Sequence, residues 1–376
     1  MSLLFTPARI KEMTVPNRFV RSATYDGCAD TSGMPTPKQV ELFDDLAAGG
    51  TGLIVSGIAY VHPMGQISPF QNAISDDRCI KGLKQLTARV HERGAKIAVQ
   101  LFHAGREAAG FLKSKNEEAA GAFFVPDDPY FKRAYRELSE SEIETLIGAF
   151  ADAAERAVAA GFDAVQLHGA HAYLLSQFLS PYSNRRTDQW GGPLENRLRL
   201  HHEIYKAIRE KVGPDYPVLI KLGVADGFPG GLAFEEGFEA ARQLAAWGFD
   251  SLEISQGLRG RRYAETEFRT GIRRPEEQAY FRDWCRRVKK AVDVPVMMVG
   301  GLRRPDLMEA VLENREADFV SLCRPLIREP GIIGEWAAGS RHEPTCISCN
   351  QCYEALINGE PLHCAYEKKA ADKKDR

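Results

Sequence analysis

Eight short apolar runs recur along the 376 residues, most of them after turns containing Gly or Asp: Arg18–Ser22, Thr51–Ser56, Ala95–Leu101, Asp163–Leu167, Val218–Leu222, Ser251–Ile254, Val294–Val299 and Asp318–Leu322. They are rich in Val, Ile and Leu and lack the polar alternation of a half-wet strand, so they read as strands buried on both faces of a parallel sheet. Helical spacing fills the gaps. In Ser139–Ala160, residues Ile143, Leu146, Ile147, Phe150, Ala154, Ala157 and Val158 fall on one stripe, and Ser139 with Glu142 forms a capping-box pair. Three helix-to-strand junctions, AAGGTGLIV, AAGFDAVQL and AWGFDSLEI, each place Gly where a helix end needs a left-handed residue. Eight strands alternating with helices predict an α/β fold, a single (β/α)8 TIM barrel over 1–340, followed by a short Cys-rich segment over 341–376. A doubly wound sheet would want G-x-G-x-x-G after its first strand, and that pattern is missing there.

Composition narrows the class. Lys and Arg total 49 against 51 Asp and Glu, a net charge of -2 that argues against a dedicated nucleic-acid binder. Mean hydropathy is -0.32, and no apolar run approaches the roughly 20 residues of a membrane span. The start MSLLFTPARIKEMTVPNRF has no signal-peptide pattern, and eight cysteines without an export signal favour reduced thiols or a metal site over disulfides. A soluble, cytoplasmic protein is expected.

In such barrels chemistry sits at the C-terminal ends of the strands. The polar residues there are Tyr25, Gln100, His103, His168, His171, Lys221, Ser255, Gly300, Gly301 and Arg324, and the long connections Arg106–Leu138, His168–Pro193 and Ser255–Pro275 start on the same rim. His168-Gly-Ala-His171-Ala-Tyr173 crowds three polar rings into six residues. Two imidazoles can donate to one oxygen that gains charge, and a tyrosine can protonate a carbanion-like centre. A zinc site and satisfied core histidines are the alternatives. Gly300 and Gly301 permit close approach to a phosphate, and Arg324 offers a fork for it; a tight turn would also use the glycines. Lys221 demands an anion, or serves as a Schiff-base lysine. Gln100 offers both donor and acceptor to a heterocycle edge.

The run HGAHAYLLSQFLSPYSNRRTDQWGGPLENRLR (168–199) closely resembles the Old Yellow Enzyme family of FMN-dependent oxidoreductases. The start LFTPARI…VPNRFVRSAT, the segment VQLFHAGR and the closing VGGLRRPDLM…ADFVSLCRP match as well. It is most similar to the branch of single-domain bacterial ene-reductases and the barrel domain of bacterial 2,4-dienoyl-CoA reductase. The resemblance implies noncovalent FMN and NAD(P)H as reductant. Ala23, Thr24 and Ala59 would lie against the isoalloxazine, with Gln100 on its pyrimidine edge and Lys221 near N1 and the C2 carbonyl. Gly301, Cys323 and Arg324 would hold the phosphate. His168 and His171 would bind the substrate carbonyl, and Tyr173 would deliver the proton. The implied reaction is reduction of an alkene conjugated to a carbonyl (an enone, enal or enoate). An amine dehydrogenase or demethylase on the same scaffold, and a flavin/Cys redox sensor or electron carrier, are the rivals.

Three departures qualify that resemblance. Tyr25 stands where relatives carry a flavin-tuning Cys or Thr, or the cysteine that attaches FMN covalently; it is expected either to donate to the flavin edge or to pack on the ring. Cys346-x2-Cys349-x2-Cys352-x11-Cys364 resembles an iron–sulfur segment with its middle pair one residue closer, so [4Fe–4S], Zn²⁺ and free thiols all stay open. The loop after the sixth strand lacks the histidine of the dienoyl-CoA branch and carries five arginines from Arg259 to Arg273, which point to an anionic substrate, a subunit contact or a solvated face. Homo-oligomerisation is expected from the helical surface, and a mobile tail over 367–376.

Overall fold

The apolar runs become eight parallel strands: β1 (Phe19–Arg21), β2 (Leu53–Tyr60), β3 (Lys96–Phe102), β4 (Ala164–Gly169), β5 (Val218–Gly223), β6 (Ser251–Ser255), β7 (Val296–Met298) and β8 (Phe319–Leu322). Each pairs with its chain neighbours, and β8 pairs with β1, so the sheet closes into the expected barrel. The computed structural model describes residues 2–261 and 265–367; Arg262 and the tail beyond Glu367 lie outside them.

Helices α1 (Pro37–Ala48), α2 (Cys79–Glu92), α3 (Glu140–Ala159), α4 (Leu194–Val212), α5 (Phe234–Trp247), α6 (Arg282–Lys289) and α7 (Pro305–Glu313) follow β1 to β7 in turn. Two short helices, α8 (Arg324–Arg328) and α9 (Ile332–Ala337), follow β8. The Ser139–Glu142 capping box starts α3, both reciprocal hydrogen bonds being made. Gly50, Gly161 and Gly248 take φ of +92°, +82° and +108° at the three junctions, the left-handed geometry their sequence position requires. One stripe residue departs from expectation: Val158 is 44% exposed, because the stripe turns past the barrel wall one residue earlier, at buried Ala157.

Inside the barrel, Val20, Val55, Ala98, Ala164, Leu219 and Phe319 form an apolar cluster. A hairpin of Ala8–Ile10 antiparallel to Met13–Val15 contributes Ile10, Met13 and Val15 to that cluster and so plugs the N-terminal end. A larger apolar layer packs the strands against the helices. With the bottom closed, the polar residues of the barrel interior lie towards the C-terminal mouth. Among the described residues, no helix is long and apolar enough to cross a membrane.

Candidate active site

Towards the mouth, the inward-facing residues change from apolar to polar. Gln100 Nε2 donates to Gln166 Oε1 at 2.8 Å, and Gln166 Nε2 donates to Glu253 Oε2 at 3.1 Å. Glu253 also accepts from Ser22 Oγ at 2.7 Å and lies 3.3 Å from Lys221 Nζ, which donates to Ser22 Oγ at 2.7 Å. This chain crosses the barrel from β3 through β4, β6 and β5 to the end of β1. Lys221 therefore has an anion within the protein, Glu253, opposite it on β6. Sequence spacing does not pick out Glu253; its one signal is a carboxylate inside the otherwise uncharged run SLEIS. Both side chains are almost fully buried. Glu253→Ala should leave a buried ammonium without a counter-charge and lower the unfolding free energy by about 3–5 kcal/mol. Urea denaturation checks this, and an unchanged midpoint would refute the pairing.

Above this layer stand His168, His171 and Tyr173. The two imidazole centroids are 4.9 Å apart and nearly perpendicular, and His168 lies 5.0 Å from the Tyr173 ring. Phe102, at the end of β3, packs edge-on to Tyr173 at 4.6 Å. His171 and Ala172 both take left-handed backbone, φ +60° and +66°, which non-glycine residues adopt at a cost. The loop after β6 holds them there: Gln256 O accepts from His171 N at 3.0 Å and Gly257 O from Ala172 N at 3.1 Å. His171 Nε2 lies 2.7 Å from Ser255 Oγ, whereas buried His168 Nδ1 has no protein partner among the described residues. Burial, then the neighbouring Lys221 and Arg259 charges, hold both imidazoles well below the ordinary histidine range; for His168, His171 adds to the effect. Both are neutral donors at neutral pH. His103, the third histidine of the rim, does not join them. It is buried beneath the loop after β3, its Nδ1 accepts from Gly105 N at 3.0 Å, and burial lowers it to about 3.

Arg259, from the loop after β6, completes the wall. Its guanidinium carbon is 5.4 Å from the Tyr173 ring centroid, and Glu267 Oε1 accepts from Nε at 2.8 Å. Glu107, from the loop after β3, adjoins this cluster and is pushed up by burial against the pull of Arg259, Arg106 and Arg133. Of the other described arginines of the loop, Arg261 Nη2 donates to Pro129 O at 2.9 Å, Arg269 stacks 4.6 Å over Tyr280, and Arg273 is exposed, its backbone N–H donating to Glu277. The long loops are tied to each other. Arg106 and Asp128 form a buried ion pair at 2.8 Å, and Tyr182 Oη donates to Asp128 from the loop after β4.

On the opposite side of the mouth, Ala23 and Thr24 follow β1, and Ala59 lies buried in β2. Thr24 Oγ1 is 3.1 Å from Cys323 Sγ at the end of β8. The Tyr25 hydroxyl is bonded to Ser68 Oγ, and burial pushes it up to about 12. Cys28 is buried, and burial likewise pushes its thiol up to about 12. Gly300 and Gly301 take φ of +118° and +72°, and a Cβ on either would strike the Tyr280 ring at 2.9 Å. Arg324 Nη1 donates to Arg269 O at 2.7 Å and Asn350 Oδ1 at 2.6 Å, which ties the rim to the Cys-rich segment. That segment lies across the rim: Gly271 N bonds Ser348 O, Arg303 Nη2 bonds Pro344 O, and Leu362 N bonds Asp26 O. Cys346, Cys349, Cys352 and Cys364 line one cavity together with Arg324 and Asn350.

Residues 3–341 match the family model for NADH:flavin oxidoreductase / NADH oxidase. The chain belongs to that family. It is 34% identical over 355 residues to the NADH oxidase of Thermoanaerobacter brockii, covering 92% of this chain and 52% of that protein. It is 33% identical over 359 residues to the NADPH dehydrogenase of Geobacillus sp. (strain WCH70), covering 94% of this chain and 98% of the relative. A solved 2-naphthoyl-CoA reductase complex superposes with a TM-score of 0.88 at 29% identity, over 96% of this chain and 56% of that one. The chain thus spans about half the length of the first and the last. The barrel and the Old Yellow Enzyme resemblance are both borne out. FMN is the flavin of this family; small Ala23 and Ala59, the Gln100 amide and the Lys221 ammonium are the residues of the mouth that could hold its ring, whereas the Gly300–Gly301 turn is packed on Tyr280 and Arg324 is bonded to Arg269 O and Asn350 Oδ1.

Proposed function

We propose that this chain uses NAD(P)H to reduce alkenes conjugated to a carbonyl, with noncovalent FMN seated over the Gln100–Glu253–Lys221 layer. The observation that carries the reading is the placement of His168, His171 and Tyr173 together above that layer. The chemistry that bound FMN would supply is hydride transfer between the nicotinamide and the β-carbon of the alkene. Lys221 supplies positive charge beneath the pyrimidine edge, and Glu253 fixes where that charge sits. His168 offers a ring N–H to the substrate carbonyl oxygen. In the tautomer where Ser255 Oγ donates to His171 Nε2, the proton sits on His171 Nδ1 for the same oxygen. Tyr173 Oη protonates the α-carbon, and the aromatic wall of Phe102 keeps water from competing.

The four cysteines support a second group. Among the described residues, no three His, Cys, Asp or Glu side chains come close enough to hold one metal ion. The C-x2-C-x2-C-x11-C spacing is what favours an iron–sulfur cluster over Zn²⁺; the cavity that the four thiols line, about 20 Å³, would have to open to admit it. We assign Cys346, Cys349, Cys352 and Cys364 to such a cluster, beside the phosphate end of the flavin site.

One experiment tests both assignments. The visible spectrum of anaerobically purified protein is recorded, then NADH is added, then cyclohexenone. Flavin bands that bleach with NADH and return with cyclohexenone are the expected result. Protein that is colourless and takes up no FMN on reconstitution would remove the proposed function. Iron and sulfide at background would remove the cluster.

A further inference from the structure

Tyr173 and Arg259 each lie beyond the backbone bonds that join their loops, His171 N to Gln256 O and Ala172 N to Gly257 O. Those bonds bring the guanidinium to the phenol from across the mouth, 5.4 Å from the ring centroid. Glu267 then clamps it. One carboxylate oxygen receives both Nε at 2.8 Å and Nη2 at 2.7 Å, and Glu267 is only 9% exposed. A flexible arginine on a long loop is thereby fixed at one end and faces the phenol with the other.

We propose that Arg259 is the positioning residue that makes Tyr173 a competent proton donor, by stabilising the phenolate left when the proton moves to substrate carbon. This rests on the reading of Tyr173 as the acid. In that step the phenolic O–H bond breaks and its electron pair stays on Oη. The proton forms the new C–H bond with the electron pair of the substrate enolate, and a solvent proton later restores the phenol. A buried phenolate is costly without a cation nearby.

The groups around Tyr173 single out Arg259 for this task. His168 and His171 on its own loop are neutral, and Phe102 on β3 is apolar. Glu267 and Glu107 oppose a phenolate. Burial pushes the Tyr173 phenol up, and Arg259 is the neighbour that pulls it back down. Burial alone would pull the Arg259 guanidinium down as well, but Glu267, Tyr173 and Glu107 outweigh it, so the cation persists. A histidine would fill such a place as a titrating group; an arginine keeps its charge at every working pH.

The test compares two oxidants of the reduced holoenzyme in anaerobic stopped flow. Cyclohexenone needs a proton on carbon, whereas ferricyanide takes electrons alone. Arg259→Gln should slow cyclohexenone at least about tenfold more than ferricyanide and enlarge the solvent isotope effect, while Arg259→Lys recovers most of the loss. An ultraviolet pH titration, read against Tyr173→Phe, adds a readout without turnover: Tyr173 should ionise at higher pH in Arg259→Gln than in the parent. Equal slowing with both oxidants, or an unmoved Tyr173 ionisation, would overturn the proposal. A parent enzyme that reduces ferricyanide but never cyclohexenone would instead sink the ene-reductase reading, and this inference with it.

Discussion

Tyr173→Phe is expected to cut the rate of cyclohexenone reduction by about 10²–10⁴-fold, the range for loss of a general acid, while NADH still reduces the flavin at close to the parent rate. The two half-reactions separate because the phenol acts only when a proton must reach carbon. Phenylalanine keeps the ring that packs on Phe102 at 4.6 Å and on His168 at 5.0 Å, so the wall of the mouth stays in place. Stopped-flow measurement of each half-reaction decides the matter. An oxidative half-reaction as fast as in the parent would mean that solvent or another group protonates the substrate. Loss of both half-reactions together would place Tyr173 in flavin or nicotinamide binding.

His168→Ala should lower the same oxidative step by about 10²–10³-fold, the usual effect of removing one preorganised donor from a developing oxyanion. Among the described residues its Nδ1 is buried without a protein partner, which costs the native state stability. Because burial and the neighbouring charges hold both imidazoles well below the ordinary histidine value, the donors stay neutral as pH falls through the usual histidine range. A lowered histidine takes its proton only at more acid pH, so the oxidative half-reaction should show no inflection near pH 6.5, the ordinary histidine value of about 6.5. A clear inflection there that disappears in His168→Ala would show a charged imidazole at work. His171→Ala should be the milder substitution for the oxyanion, since His171 is already bonded to Ser255, and the more damaging one for the left-handed turn.

Much of this fold is legible in the order of the amino acids, for reasons that particular residues make plain. Strands buried on both faces leave continuous apolar runs, so Val218–Leu222 and Asp318–Leu322 mark β5 and β8 to within a residue or so. The end of β2 is not marked in this way. Its pairing with β3 shifts between Val55 and Ile58, and the break carries Ser56 and Gly57, which reads as a strand end rather than an irregularity. The plugging hairpin is hidden because three-residue strands give no periodicity to detect. In the site, His168, His171 and Tyr173 stand out because three polar rings in six residues have few structural uses. Glu253 is obscured by the opposite circumstance: one carboxylate in an apolar run has no local pattern, and its meaning comes from Lys221, over thirty residues away. Arg259 is one arginine among several until Glu267 and the Tyr173 ring give it a place.

The polar belt across the barrel has a consequence for assembly. It draws single residues from β3, β4, β5 and β6, and from the end of β1, and each must land at one height for the others to be satisfied. Slide β6 by one position and Leu252 or Ile254 faces the Lys221 ammonium in place of Glu253. An apolar core forgives such slippage, since one branched aliphatic side chain substitutes for another at modest cost. A stranded charge does not. The belt therefore works as an alignment key: a misthreaded barrel is rejected by electrostatics before its packing could tell the difference.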